Sequence, residues 1–245
     1  WYPIEDMYGI LPLLSGSLIV TVFSILIALP LGAGTAIYIG EIAPRKVNEI
    51  LKPTIEILAG IPSVVLGFLG ILVLSPFMRE TFNLPTGLTA FTGAFLLALI
   101  SIPTIVSIAE DALYAVPNTY RDAAYALGAS KWQVIWQVVL PAAKSGILTA
   151  VMLGVGRSLG ETMAVMMVTG NAPTVFSGLN SFIAPVRTMT ATIASEMGEV
   201  ATGSLHYRIL FFIGIILFIF SLIINISSSK SLSKVSAKNR AKMVS

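Results

Sequence analysis

Residues 154–166 read GVGRSLGETMAVM and lie in an otherwise apolar run long enough to cross a membrane. Arg157 and Glu161 stand four residues apart, which on a helix puts them on one face and lets them pair. A charge at mid-bilayer costs from about 2.5 kcal/mol on insertion scales to roughly 10 or more for a lone helix, so it persists where it faces protein or water. A guanidinium offers a planar fork of donors matched to two oxygens of a tetrahedral oxyanion. Ser158 and Thr162 add hydroxyls beside the pair, although Ser and Thr in membrane helices often bond their own backbone carbonyls. The structural alternative is a self-neutralising ion pair that locks the helix to its neighbours. Gly156 and Gly160, a GxxxG pattern, would support close packing there.

The surrounding composition makes a membrane setting plain. Of 245 residues, 56% are apolar and only 11% charged, with a mean hydropathy of +0.88, which places the chain among integral membrane proteins. Cysteine is absent and His206 is the single histidine, which argues against a disulfide framework or a metal centre. The chain opens at Trp1 with neither an initiator Met nor a signal peptide, so a fragment or a shortened product is expected.

Five apolar runs, 13–39, 55–76, 88–109, 145–169 and 209–226, each approach the roughly 20 residues a crossing needs. Lipid offers no partner to backbone N–H and C=O groups, so each is expected to be helical. Pro30, Pro62 and Pro103 are expected to kink these helices. The stretches IPSVV and IPTIV echo one another, but five residues do not make a repeat. The boundaries expected are a membrane domain over 1–226 and a basic tail over 227–245.

Lys and Arg set the expected orientation. The loops after the first and third runs carry Arg45, Lys46, Lys52 and Arg121, Lys131, Lys144; the tail carries five more basic residues. Those segments are expected in the cytoplasm, with Trp1 outside. An odd span count starting outside fits a missing first helix. The net charge of +3 then reports topology, and nucleic-acid binding is not needed to explain it.

Residues 117–141 read PNTYRDAAYALGASKWQVIWQVVLP. Thr119 with Asp122 forms a capping-box pattern that predicts a helix from about Tyr120, and Gly128 is placed to end it. Ser130 with Gln133 predicts a second helix, which Pro141 is expected to interrupt. One reading is an amphipathic connector anchored at the headgroups by Trp132 and Trp136. The other is a docking element whose small residues let a partner approach closely.

Asp122-Ala123-Ala124, Gly128, Val138 and Leu140-Pro141 at these spacings resemble the EAA loop of ABC-transporter permeases, with Asp122 for the usual Glu and Val138 for the usual Ile. GIPSVVLG (60–67), SIPTIVSIAEDALYAVP (101–117), GVGRSLGETMAV and IASEMGE (193–199) are similar to the PstC-type permease family of phosphate-specific ABC importers. The resemblance runs from roughly residue 8 to 225. It implies an all-α, polytopic, type I importer permease (MetI-like) fold in the plasma membrane, with one further helix at the N-terminus. It also implies that residues 117–141 couple to a cytoplasmic ATPase through Asp122, Ala123, Ala124, Gly128, Leu140 and Pro141. Arg157 and Glu161 would belong to the essential transport residues. Implied partners are a second, paralogous permease, an ATPase dimer and an external phosphate-binding protein. ATP and Mg belong to the ATPase, and no cofactor or metal belongs to this chain.

Within that resemblance Glu161 has two candidate roles. It steadies Arg157 when no ion is present, or it accepts a hydrogen bond from the P–OH of protonated phosphate, which fully ionised sulfate cannot donate. Competing readings are a permease for another solute or oxyanion, and a passive channel, which would not need a docking loop. Gly156-Arg157-Ser158-Leu159-Gly160 also matches GxSxG, so an intramembrane serine hydrolase is a further alternative; it needs a strand-to-helix turn and a nearby base. No GxxxxGK[ST] pattern occurs, so the chain lacks P-loop ATPase chemistry. Over 171–207, Arg187, Glu196 and Glu199 are candidates for meeting a solute-delivering protein, or simply surface charge on a loop.

Overall fold

A computed structural model describes the backbone of residues 1–175 and 178–244, and the side chains of those residues other than 179–180 and 227–244. Among the described residues, five helices are long and apolar enough to cross a bilayer: Leu11–Ile42, Ser63–Thr81, Ala90–Tyr114, Lys131–Gly160 and Leu205–Ile226. The fold is all-α, as expected. In chain order the helices are α1 (Leu11–Ile37), α2 (Arg45–Gly60), α3 (Ser63–Leu69), α4 (Ser75–Thr81), α5 (Ala90–Tyr114), α6 (Asn118–Ala126), α7 (Lys131–Val134), α8 (Leu140–Gly160), α9 (Met163–Val168), α10 (Met189–Glu196) and α11 (Leu205–Val244). Wider π turns at Tyr38–Ile42, Gly70–Leu74 and Ile135–Val139 extend α1, join α3 to α4 and join α7 to α8.

Several expected boundaries shift. The second span begins at Ser63 because Pro62 breaks the chain rather than kinking it: its ψ of 133° is extended, and it caps α3. The residues before it form α2, whose Arg45, Lys46, Glu49, Lys52 and Glu56 make it too polar to span. Pro30 and Pro103 stay inside α1 and α5. Pro141 does not interrupt its helix, because the π turn before it widens the coil where the ring and the missing N–H would otherwise clash. Helix α11 continues past residue 226 to Val244. Burial differs sharply among the spans: 61% of the apolar window of α5 is buried within the chain, against 11% in the last span. Helix α5 is the most buried of the five spans.

The chain divides into two compact units. The first comprises 1–27, 61–101 and 155–223. Its larger core joins Val20, Leu97 and Ile100 to Ala164, Val165 and Val168. Gly67 and Gly70 let α3 and the following π turn approach α9 closely: a Cβ on Gly67 would lie 2.8 Å from Met167 Sδ, and one on Gly70 2.6 Å from Val168 Cγ1. A smaller core holds Trp1, Leu13, Met189, Leu210 and Ile213. Beside it Glu196 accepts hydrogen bonds from Trp1 Nε1 (3.1 Å) and Arg187 Nη2 (2.6 Å), and lies 2.8 Å from His206 Nε2. Arg187 and Glu196 are therefore bound to each other inside the unit rather than presented to a delivering protein.

The second unit comprises 28–60, 102–154 and 224–245. Gly32 seats Ile105, Gly146 seats Ala112, and Leu113, Val134, Ile135 and Val139 are buried. Lys52 Nζ donates to Glu110 at 2.9 Å, and that hydrogen bond raises the Lys52 pKa against the opposing effect of desolvation.

Gly16 and Gly156 give contrasting tests of packing. A Cβ on Gly16 would collide with the Arg187 carbonyl, whereas nothing lies within 4 Å of one on Gly156. In thermal melts of the detergent-solubilised subunit, Gly16→Ala is expected to cost about 1–3 kcal/mol and Gly156→Ala under about 0.5 kcal/mol.

Candidate functional site

The GRSLGET segment sits where a helix stops. Helix α8 ends at Gly160, Glu161 and Thr162 lie outside regular helix, and α9 restarts at Met163. The continuous span expected over 145–169 is thus broken between Arg157 and Glu161, so the two do not share one uninterrupted helix face. The break is held locally. Glu161 Oε1 accepts the Ala164 N–H at 3.4 Å, capping the new helix, and Thr190 Oγ1 donates to the Glu161 carbonyl at 3.1 Å. Thr162 Oγ1 donates to the Gly160 carbonyl at 3.2 Å, the self-bonding that its residue type suggested.

The four residues singled out there point to different surroundings. Arg157 is exposed on the chain surface, while the next residue, Ser158, is 2% exposed. Ser158 Oγ lies 2.8 Å from Ser101 Oγ on α5 and 3.2 Å from Ser24 Oγ on α1, and Ser24 donates onward to the Thr21 carbonyl. Three helices are therefore pinned by hydroxyls, a device suited to a buried apolar seam because each polar group finds a partner. Glu161 is half-buried and lines a cavity of about 10 Å³ with Ser17, Thr21, Ser158, Thr188 and Thr190, space for about one water. Gly156 and Gly160 have no neighbour within 4 Å of a Cβ, so the GxxxG face is not used for packing within the described part of this chain.

The geometry also removes the hydrolase reading. Ser158 lies inside a helix, not at a strand-to-helix turn, and its hydroxyl partners are serines. His206, the one histidine, is engaged by Glu196 and stacks near Trp1 and Tyr8.

The loop over 117–141 folds as two short helices. Helix α6 begins at Asn118 with Pro117 as its cap and no side-chain cap, so the Thr119–Asp122 box does not form. Arg121, in the first turn of α6, donates to the Val116 carbonyl and Asn118 Oδ1. At the other end Gly128, with φ of 82°, closes the helix: its N–H reaches the Tyr125 carbonyl and the Ala129 N–H reaches that of Ala124. The Ser130–Gln133 capping box is present. Asp122, Ala123 and Gly128 are exposed, Ala124 is half-buried, and Leu127 is 90% exposed between them. Trp132 and Trp136 are exposed with rings 5.7 Å apart. Leu140 and Pro141 stand apart from this tip, at the start of α8, beyond the π turn on which α6 packs.

Several spans, an exposed two-helix loop and a charged break at the end of one span define a polytopic transport subunit. Residues 28–230 match the family model described as the binding-protein-dependent transport system inner membrane component. The chain belongs to that family. It is 41% identical to the probable ABC transporter permease protein YqgH of Bacillus subtilis, over 94% of this chain and 75% of that one. It is 36% identical to the phosphate transport system permease protein PstC of Mesorhizobium japonicum, over 98% and 78% respectively. Among solved structures, the inward-facing MetNI methionine ABC transporter is similar with a TM-score of 0.67 at 21% identity, covering 93% of this chain and 94% of that one. That likeness establishes the importer-permease fold.

The chain is accordingly a multi-pass plasma-membrane subunit of an ABC importer, not an enzyme. Membership implies a partner permease, a binding protein and an ATPase that carries out the hydrolysis.

Sequence reasoning missed two clusters: Glu196 with Trp1, Arg187 and His206, and Arg121 with Glu41 at 2.6 Å. Their bonded pairs lie 9 to 195 residues apart in sequence, beyond the reach of the local patterns read above. Removing the Ser158 hydroxyl tests its structural role. Ser158→Ala is expected to lower stability by about 1 kcal/mol in thermal melts, and a fluorophosphonate probe is expected to leave the native chain unlabelled.

Proposed function

We propose that the chain forms half of the translocation pathway of an ATP-driven phosphate importer. The observation that carries this reading is Arg157, exposed at the last turn of a span. A guanidinium on an apolar span is poorly tolerated by lipid, so the side chain is best accommodated facing a second permease across a hydrated path. The choice of phosphate is supported by the names of the relatives, several of them phosphate transport system permeases at 34–36% identity.

In this mechanism Arg157 supplies two parallel donors to the oxyanion and compensates part of its lost hydration. Glu161, held by Ala164 N–H, presents its carboxylate near the break and discriminates protonated phosphate from sulfate by accepting the P–OH. Thr162 contributes a hydroxyl at the same break, while Ser158 acts from behind by fixing the helix that carries Arg157. The partner permease is a paralogue, and an external phosphate-binding protein delivers the ion. The loop carrying Asp122, Ala123, Ala124 and Gly128, with Leu140 and Pro141 at its base, meets an ATPase dimer that holds ATP and Mg. The basic loops and the tail over 227–245 lie in the cytoplasm, beside anionic lipid.

Labelled-phosphate uptake by the complete complex in proteoliposomes, with sulfate as competitor, tests the reading. Arg157→Ala is expected to lower uptake at least about a hundredfold, roughly 2.7 kcal/mol, with assembly intact. Near-normal uptake would show that the arginine is structural. Glu161→Gln keeps an oxygen for the Ala164 cap and is expected to weaken discrimination against sulfate; unchanged selectivity would reject its role as acceptor.

A further inference from the structure

We propose that Arg121 and Glu41 form a positioning strut that ties the ATPase-docking loop to the membrane helices. Displacement of the loop is then handed to α1 and α5 instead of being absorbed at the loop. The proposal rests on residues 117–141 being the surface that meets the ATPase.

Arg121 lies in the exposed loop, yet its side chain is only 16% exposed and that of Glu41 is 9% exposed. Its guanidinium makes five hydrogen bonds, matching its five N–H donors. Nη2 donates to Glu41 Oε1 at 2.6 Å, and Nε reaches Oε2 at 3.5 Å. Nη2 also donates to the Leu113 carbonyl at 3.0 Å, and Nη1 to the Val116 carbonyl at 2.6 Å and Asn118 Oδ1 at 3.3 Å.

These acceptors belong to three different elements. Glu41 lies in the π turn that ends the first span, Leu113 and Val116 lie at and just beyond the end of α5, and Asn118 opens α6. The carbonyls at a helix C-terminus lack partners in the helix and carry partial negative charge, so a cation there satisfies both needs. A planar fork can hold a carboxylate and two carbonyls in fixed directions, whereas a lysine would supply one point charge on a flexible stem. The chain between α5 and α6 is short, only Ala115, Val116 and Pro117. A clamp across it leaves the loop little freedom to move by itself.

A purely structural pair would change how much complex assembles. A strut changes how much solute moves for each ATP consumed. The test uses the whole complex in proteoliposomes, with labelled-phosphate uptake and ATP hydrolysis measured on the same vesicles. Glu41→Gln removes the charge and keeps the shape and one acceptor oxygen. It is expected to leave ATPase co-purification and basal hydrolysis unchanged while phosphate moved per ATP falls about tenfold, with a parallel fall in stimulation by the binding protein. Arg121→Lys is expected to show the same split, more severely, because two carbonyls of the α5 terminus also lose their donor. An unchanged ratio of uptake to hydrolysis, or a loss that only tracks the amount of assembled complex, would overturn the strut. Where Arg121→Lys assembles poorly, Glu41→Gln alone decides. The docking assignment is read separately: Ala124→Trp is expected to release the ATPase, and retention would reject that assignment while the Glu41 result stands on its own ratio.

Discussion

Lipid cannot solvate a charge, and the charged side chains in and beside the spans of this chain differ in how they are placed. Several are matched within the chain. Glu110, 7% exposed, accepts from Lys52, Glu41 accepts from Arg121, and Glu196 gathers Trp1, Arg187 and His206. The contacts of Lys52 with Glu110, Arg121 with Glu41 and Trp1 with Glu196 bring together segments distant in sequence, so they also fix the packing of helices. Arg157 differs in exposure: it stands at the surface near the end of a span, next to a serine that is almost fully enclosed. The contrast between those neighbours separates a side chain that holds helices together from one that faces away from the packed seam.

Breaks in helices are the second organising feature. Pro62 separates a polar helix from a spanning one, the π turn before Pro141 keeps a helix running, and the stop at Gly160 exposes Glu161 and Thr162 outside the helical ladder. Non-helical backbone in a span is tolerated where its polar groups find protein partners or line a cavity. Here Thr190 bonds the Glu161 carbonyl, Glu161 caps α9, and a one-water cavity adjoins the break. Serine contacts among Ser24, Ser101 and Ser158 hold the adjoining helices by the same logic.

How much was legible in the sequence follows from the range of the interactions involved. The five spans were visible because hydropathy is a sum over neighbours, and the two-helix loop because its turn chemistry is local: Gly128 and the Ser130–Gln133 box appear as their residue types require. The Thr119–Asp122 box does not form because Pro117 starts the helix two residues earlier than the box requires, leaving Thr119 inside it. Gly156 and Gly160 satisfied a packing motif that depends on an opposing helix, and no described residue of this chain opposes them.

Composition and local pattern by themselves determined that the chain is helical, membrane-spanning, and equipped with a two-helix loop, since each of those properties depends on residues within a few turns of one another. Tertiary structure alone decided that Ser158 faces inward while Arg157 faces outward, that the span ends at Gly160, and that Arg121 reaches Glu41. Those outcomes depend on which helix lies opposite, and that is a property of the packed bundle rather than of any segment within it.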